Sequence, residues 1–282
     1  MNKVKGLLRL MRFELPFAAG ICVVMGQIFA EGEFASPYLT VTGFLSVFLI
    51  SASILVLNDY FDVETDRINA PDRPIPSNQV TPPEAFWFSM LLMAAGLVLS
   101  ILISLTLFFI SLFLVIIGFL YNYFLKKSGL PGNLMVSLSV GMTFIYGGET
   151  VGSPLHHLVV LFALIAALVD LGEEIAADST DVEGDLLIQS NSLAIKLGDV
   201  TAVRISASLF LIVIMLSLVP FIAQWLSPVY LISIGVMDSA IAYGTVMILR
   251  RKGSGRKKYI RIIYLGATLG LVLFLVMRLS GV

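Results

Sequence analysis

The chain has 282 residues, 58% of them hydrophobic and 13% charged, with a mean hydropathy of +0.95. That balance excludes an ordinary soluble domain and places the protein in a bilayer. The net charge of −1 singles out no class of partner, and nothing in the sequence points to nucleic acid, a nucleotide-binding loop or haem.

Apolar runs suited to spanning helices fall near residues 15–30, 39–58, 86–105, 107–124, 133–150, 157–177, 203–223, 229–249 and 260–279. They predict an all-α polytopic membrane protein with nine transmembrane helices. The basic, then apolar, amino terminus has no convincing cleavage site before Ala30, so its first run is expected to be retained. Cys22 lies inside that run with no second cysteine to pair with and is expected to pack. Between Phe86 and Tyr123 a single helix would be about 57 Å long against a hydrocarbon core of roughly 30 Å. No Gly or Pro marks a division near its middle, and the break is expected near Ser104–Thr106.

Lysine and arginine test the count, because cytoplasmic loops collect positive charge. Lys3, Lys5, Arg9 and Arg12 precede the first span, Arg67 and Arg73 follow the second, and Lys126 and Lys127 follow the fourth. Lys196 and Arg204 follow the sixth, and seven cations between Arg250 and Arg261 separate the last two. Of 18 basic residues only Arg278 falls on the opposite side, which predicts a cytoplasmic amino terminus in a multi-pass protein of the cell membrane. The Arg250–Arg261 cluster is expected to meet anionic lipid head groups.

The second span ends in NDYFDVETDRINAPDRPIPS, where Asp59, Asp62 and Asp66 are spaced by three and four residues. DSTDVEGD repeats the spacing at Asp178, Asp181 and Asp185, each 119 positions later. Each cluster follows an even-numbered span. The expectation is a single membrane domain over residues 1–282 built from two four-helix repeats, about 1–128 and 129–250, plus a ninth helix at about 259–280, with the acidic segments meeting at the interface between the halves. Solvated loop charges, the plainer reading, explain neither the shared spacing nor the offset.

Carboxylates three and four apart share one helical face and repel one another, so something positive must compensate them. Carboxylate oxygens suit Mg²⁺, which completes its shell with water and substrate phosphate, and an allylic diphosphate would fit. Beyond Asp66 three prolines stiffen the chain around Arg67 and Arg73. Arg73 could take a phosphate bidentately, and Lys126 and Lys127 lie on the same membrane face. For the lysines a purely topological role is equally open. Asp170, Glu174 and Asp178 are spaced by four on the sixth span; charges there are functional candidates that could bind an acceptor hydroxyl or take up its proton. His156 and His157 have no partner at metal-ligand spacing, and Asp238, inside the eighth span, is either a cavity residue or a structural hydrogen-bonding group.

The first motif strongly resembles a signature of the UbiA superfamily of intramembrane prenyltransferases, and DSTDVEGD followed by SLAIKLG resembles its second. The resemblance implies helices bundled around a central cavity with a cytoplasmic polar cap, in an enzyme that moves a prenyl group from its diphosphate to an acceptor. It further implies that Asn58, Asp62, Asp66, Asp181 and Asp185 hold the diphosphate through Mg²⁺, assisted by Arg73 and a lysine of the 126–127 pair, with Asp59 and Asp178 extending the clusters. Aromatic rings such as Tyr60, Phe61, Tyr121, Tyr123 and Tyr146 could shelter a carbocation. The wording DRINAPDRPIPS with DVEGD is closest to members that add geranylgeranyl to geranylgeranylglyceryl phosphate. Those carry a pattern like R-E-I-x-K-D before the second motif, whereas this chain has Glu173 and Ala177 at the two cationic positions. An aromatic quinone precursor is therefore the second acceptor to consider. Outside the family, an inverted-repeat transporter would place the motifs on opposite membrane faces, contrary to an even four-helix offset; a lipid-binding scaffold would keep its binding without Asp62 and Asp181.

Overall fold

The computed structural model describes residues 3–180, 182 and 189–281. It is all-α, with no strand among the described residues. Two compact units divide the chain: Met1–Leu125 with Thr143–Leu155, and Lys126–Met142 with His156–Val282.

The first unit begins with α1 (Lys3–Leu10) and α2 (Glu14–Glu31). The latter ends where Gly32 adopts φ 77° and returns its N–H to Ile28. Helix α3 (Pro37–Phe61) opens with Pro37 at its first position and the Ser36 hydroxyl accepting the Leu39 N–H. A short α4 (Val63–Asn69) follows at once. Helix α5 (Pro82–Ile103) starts from a capping box in which the Glu84 carboxylate accepts the Thr81 N–H at 3.0 Å. Ser104 is fully extended (φ −161°, ψ 157°) and its hydroxyl caps α6 (Leu105–Leu120), so the long apolar run divides within the expected window. A π-helical turn, Tyr121–Leu125, completes that span.

Leu10, Met11, Phe48, Ala52, Val56, Ile75, Val80, Ala85 and Leu92 form one core in this unit. Ile75 and Val80 belong to the proline-rich connection after α4, so apolar anchors fix that polar loop to α1, α3 and α5 and hold Arg73 in place.

Helix α7 (Leu130–Thr150) contributes its first residues to the second unit and its last to the first. The second unit continues with α8 (His157–Asp178), α9 (Leu193–Leu197), α10 (Asp199–Ser217), the short α11 (Val219–Ile222), α12 (Leu231–Arg250) and α13 (Lys257–Leu279).

Among the described residues seven helical segments are long and apolar enough to cross a membrane: 14–31, 37–61, 82–103, 105–128, 199–222, 228–250 and 253–279. Two expected spans, α7 and α8, have 21 and 22 residues but fall outside that set. Composition separates them from the others: α8 carries Asp170, Glu173, Glu174 and Asp178, and α7 carries Asn133, Ser137, Ser139 and Thr143. Burial also varies with position. The apolar window of α2 is 67% buried whereas that of α5 is 17% buried, so α2 is an interior helix and α5 presents most of its side chains outward.

Candidate functional site

The first acidic motif straddles the junction of α3 and α4. The Asp62 N–H bonds to Asn58 O at 2.9 Å and the Asp66 N–H to Asp62 O at 2.8 Å, so helical backbone pairing runs through the junction. Asp59, Asp62 and Asp66 therefore stay within one helical register, as their spacing predicts.

Two arginines answer the repulsion among them. Asp59, 2% exposed, is paired by the Arg12 guanidinium and by Arg73 Nη1 at 3.3 Å. Asp66, also buried, accepts from Arg73 Nη1 at 2.6 Å. Burial pulls the Arg73 pKa down, but Asp59 and Asp66 outweigh it and hold the guanidinium above its ordinary value. Arg73 is thus a fixed positive charge beside Asp62, which is partly buried at the junction. Arg67 is not brought into this group. It pairs with Glu64 at 3.0 Å on the exposed side of α4.

Asn58, one turn before Asp62, donates to Asn122 Oδ1 at 3.0 Å, and Asn122 donates to Ile54 O at 3.3 Å. The π-helical turn carries Asn122 into this contact; such turns are frequent at functional sites. Neither Asn122 nor Arg12 stood out as a site residue in the sequence. Asn122 is signalled weakly, as an amide within an apolar run. Arg12 reads only as one of several topological cations, and its contribution rests on a contact 47 residues away. Its backbone has φ 45°, an uncommon conformation for a side-chain-bearing residue.

In the second unit the acidic stripe of α8 faces α7. Asp170 Oδ2 lies 2.9 Å from the Ser137 hydroxyl, and Asp178 Oδ2 accepts from Asn133 Nδ2 at 3.0 Å. Ser137 and Asn133 are one turn apart on α7, as Asp170 and Asp178 are two turns apart on α8, so this one face of α8 does point in one direction. The Ser137 hydroxyl is also 2.7 Å from Asn133 O, and its single proton serves one acceptor at a time. Lys126 lies within Coulombic reach of Glu174. Glu173 Oε1 is buried with no hydrogen-bond partner among the described residues, which calls for water or a ligand. Lys127 is exposed, and its carbonyl accepts the Asn191 N–H at 2.9 Å. Asp181 and Asp185 lie outside the described residues.

The aromatics separate by environment. Tyr146 is fully buried and its hydroxyl donates to Ser46, which marks it as core. Phe61 packs edge-on against Phe119 and Tyr123, and Tyr60 packs against Phe86. Asp238 accepts from the Ser217 hydroxyl at 2.8 Å, while its Oδ1 is buried without a partner among the described residues.

The donor set fits Mg²⁺. Among the described residues no three His, Cys, Asp or Glu side chains gather to hold a metal by themselves, but Mg²⁺ characteristically takes one or two carboxylates and leaves the rest of its shell to water and substrate phosphate. Asp62 and Asp66, one turn apart beside an arginine, offer hard oxygen donors of that kind.

The sequence profile of the UbiA prenyltransferase family matches residues 19–279. The digeranylgeranylglyceryl phosphate synthase of Thermococcus gammatolerans is 36% identical over 234 residues, 83% of each chain, and that of Methanosarcina mazei is 33% identical over 261 residues, 88% of this chain and 90% of the relative. Among solved structures, one described as giving structural and mechanistic insights into digeranylgeranylglyceryl phosphate synthase in membranes superposes with a TM-score of 0.75 at 30% identity, covering 99% of this chain and all of the other. A UbiA homolog from Archaeoglobus fulgidus bound to GPP and Mg²⁺ shares the fold, with a TM-score of 0.67 at 19% identity over 95% of this chain and 98% of its own.

Proposed function

Because the chain belongs to the UbiA prenyltransferase family, we propose that it transfers a geranylgeranyl group from geranylgeranyl diphosphate to geranylgeranylglyceryl phosphate, a step of archaeal ether-lipid synthesis. The observation that carries the acceptor is the 36% identity to the Thermococcus synthase across 83% of both chains.

Asn58, Asp62 and Asp66 would hold Mg²⁺ together with the donor diphosphate, and Asp181 and Asp185 are assigned the same role by their motif. Bound there, the metal supplies positive charge against the departing diphosphate. Arg73 adds a guanidinium whose planar fork suits a phosphate and whose charge stays fixed by Asp59 and Asp66. Of the two lysines we assign the assisting role to Lys126, which is less exposed than Lys127 and lies within Coulombic reach of Glu174. The allylic C–O bond to the diphosphate breaks, a C–O bond to the acceptor hydroxyl forms, and that hydroxyl's proton passes to a carboxylate. Asp170 and Glu174 are the candidate proton acceptors. Exclusion of water from the ionised prenyl group falls to the apolar helices around it. Helices α7 and α8 complete nine spans in this reading: their polar side chains pair with one another, which lowers the penalty that keeps lone carboxylates out of bilayers. The amino terminus lies on the cytoplasmic side.

The test is prenyl transfer by the purified protein with labelled geranylgeranyl diphosphate and Mg²⁺, offering geranylgeranylglyceryl phosphate beside phenolic acids and naphthoates. Product is expected with the glyceryl phosphate, abolished by EDTA and reduced about 100-fold or more by Asp62→Asn, the scale of losing a charged group that stabilises a transition state. Glu173 stands where the family resemblance leads to the expectation of a cation, and product with an aromatic acceptor alone would overturn the lipid assignment while leaving the enzyme class intact.

A further inference from the structure

Seven cations between Arg250 and Arg261 suit an anionic membrane surface, yet one of them does not face it. Arg256 is 3% exposed. Its Nε donates to Ile248 O at 3.0 Å, near the carboxyl end of α12. Its Nη1 reaches the Ser179 hydroxyl at 3.1 Å and the Ser179 carbonyl at 3.5 Å. Both terminal nitrogens grip Asp199, Nη1 on Oδ1 and Nη2 on Oδ2 at 3.1 Å. The guanidinium thus joins three helix ends, and each contact suits the charge there. Asp199 is the first residue of α10, where a carboxylate complements the helix dipole, and a cation near the last carbonyls of α12 and α8 does the same.

Ser179 directly follows Asp178 and stands two residues before Asp181. The described residues on the far side of the acidic segment are anchored as well: the Asn191 N–H bonds to Lys127 O, and Gly129 (φ 72°) approaches so closely that a Cβ would meet Asn191 O at 2.1 Å. Arg256 thus provides a charged anchor at the carboxyl end of α8.

We propose that Arg256, held by Asp199, is a positioning residue that fixes the carboxyl end of α8 and so sets Asp178, the first carboxylate of the second acidic motif, for metal and diphosphate. The inference rests on the reading of that motif given above. Arg256 touches no reacting atom; it acts through Ser179 on the adjacent Asp178. A lysine at this position would keep the charge but lose the fork that serves Asp199 and Ser179 together. Partners of this kind typically change metal affinity about 10–100-fold when removed.

The experiment compares Arg256→Lys, Asp199→Asn and Ser179→Ala with wild type, using Lys252→Ala and Lys258→Ala as controls from the exposed part of the same basic run. Two quantities are read on each purified protein: backbone hydrogen exchange across residues 176–182 without metal, and the Mg²⁺ concentration giving half-maximal prenyl transfer. Wild-type transfer that depends on Mg²⁺ secures the underlying reading independently. Arg256→Lys and Asp199→Asn are expected to speed exchange across 176–182 about tenfold and raise the half-saturating Mg²⁺ about tenfold or more, with Ser179→Ala intermediate and both controls unchanged. Equal exchange and equal Mg²⁺ dependence in Arg256→Lys and wild type would overturn the proposal. So would a uniform loss of exchange protection throughout α8, α10 and α12 with unaltered Mg²⁺ dependence, which marks a purely structural bond.

Discussion

Asp59 sits three residues before Asp62 on the same helical register, yet the two carboxylates meet different surroundings. Asp59 is shared between Arg12 and Arg73 and shut away from solvent, whereas Asp62 lies at the more open α3–α4 junction. Removing the Asp59 charge takes a partner from Arg12 and leaves Arg73 to Asp66, and the two guanidiniums are 27% and 33% exposed, which places the loss at the lower end of that for breaking a buried ion pair. Asp59→Asn is accordingly expected to lower stability by about 3 kcal/mol, read as a shift of the denaturation midpoint in detergent, with Asp62→Asn costing less than half as much. An equal loss from both would show that the buried pairing does not distinguish them. The acidic residues themselves were legible because their spacing repeats in the chain. Their arginine partners were not: Arg12 and Arg256 each find a carboxylate 47 and 57 residues away, and the basic runs that hold them already satisfy the rule for cytoplasmic charge. Asn122 and Asn133 left a fainter trace, as amides in apolar surroundings whose partners only the fold supplies.

Within the first unit, α2 meets the end of α7 almost backbone to backbone. A Cβ on Gly147 would lie 2.1 Å from Val23 O, and one on Gly26 2.3 Å from Phe144 O. These are main-chain oxygens, which cannot turn aside as a flexible side chain can. Gly147→Ala should destabilise by about 1–3 kcal/mol, the usual penalty for overpacking. Gly235→Ala, where nothing lies within 4 Å of the added carbon, should be neutral or stabilise by up to about 1 kcal/mol through helix propensity. The midpoints of the two variants decide the matter, and similar shifts would deny the close approach. Apolar run length made most helices legible, including the division at Ser104 that no Gly or Pro announces: a helix twice the bilayer thickness has to break. What run length could not supply was which face of α8 meets α7, because both helices carry polar residues whose pairing depends on their mutual register.

Over the whole chain, basic residues gather on the loops assigned to one side, and large apolar side chains such as Trp87, Leu155 and Ile222 are exposed, as lipid contact requires. The orientation can be checked with cysteine reporters because Cys22, the natural one, is buried and can be replaced by serine. Ser254→Cys, in the loop between α12 and α13, should react with a membrane-impermeant maleimide only from the cytoplasmic side. Ser227→Cys, before α12, should react only from the other side. The reverse pattern would invert the topology. Membrane character and helix order were readable from composition at this scale, because the bilayer imposes a length and a polarity on each span. The contacts that fix the polar loops were not, since they join residues far apart in sequence.

The pairing of α7 with α8 also bears on how the protein is made. A carboxylate at mid-helix opposes insertion by about 2.5–3.5 kcal/mol on the scale set by the translocation machinery, and α8 carries several. Asn133 and Ser137 leave the ribosome before Asp170 and Asp178, so the donors that these carboxylates bond in the finished fold are made before them. On the nine-span reading the acidic helix would find its escort waiting as it entered the bilayer, which would favour the two segments moving in as a hairpin.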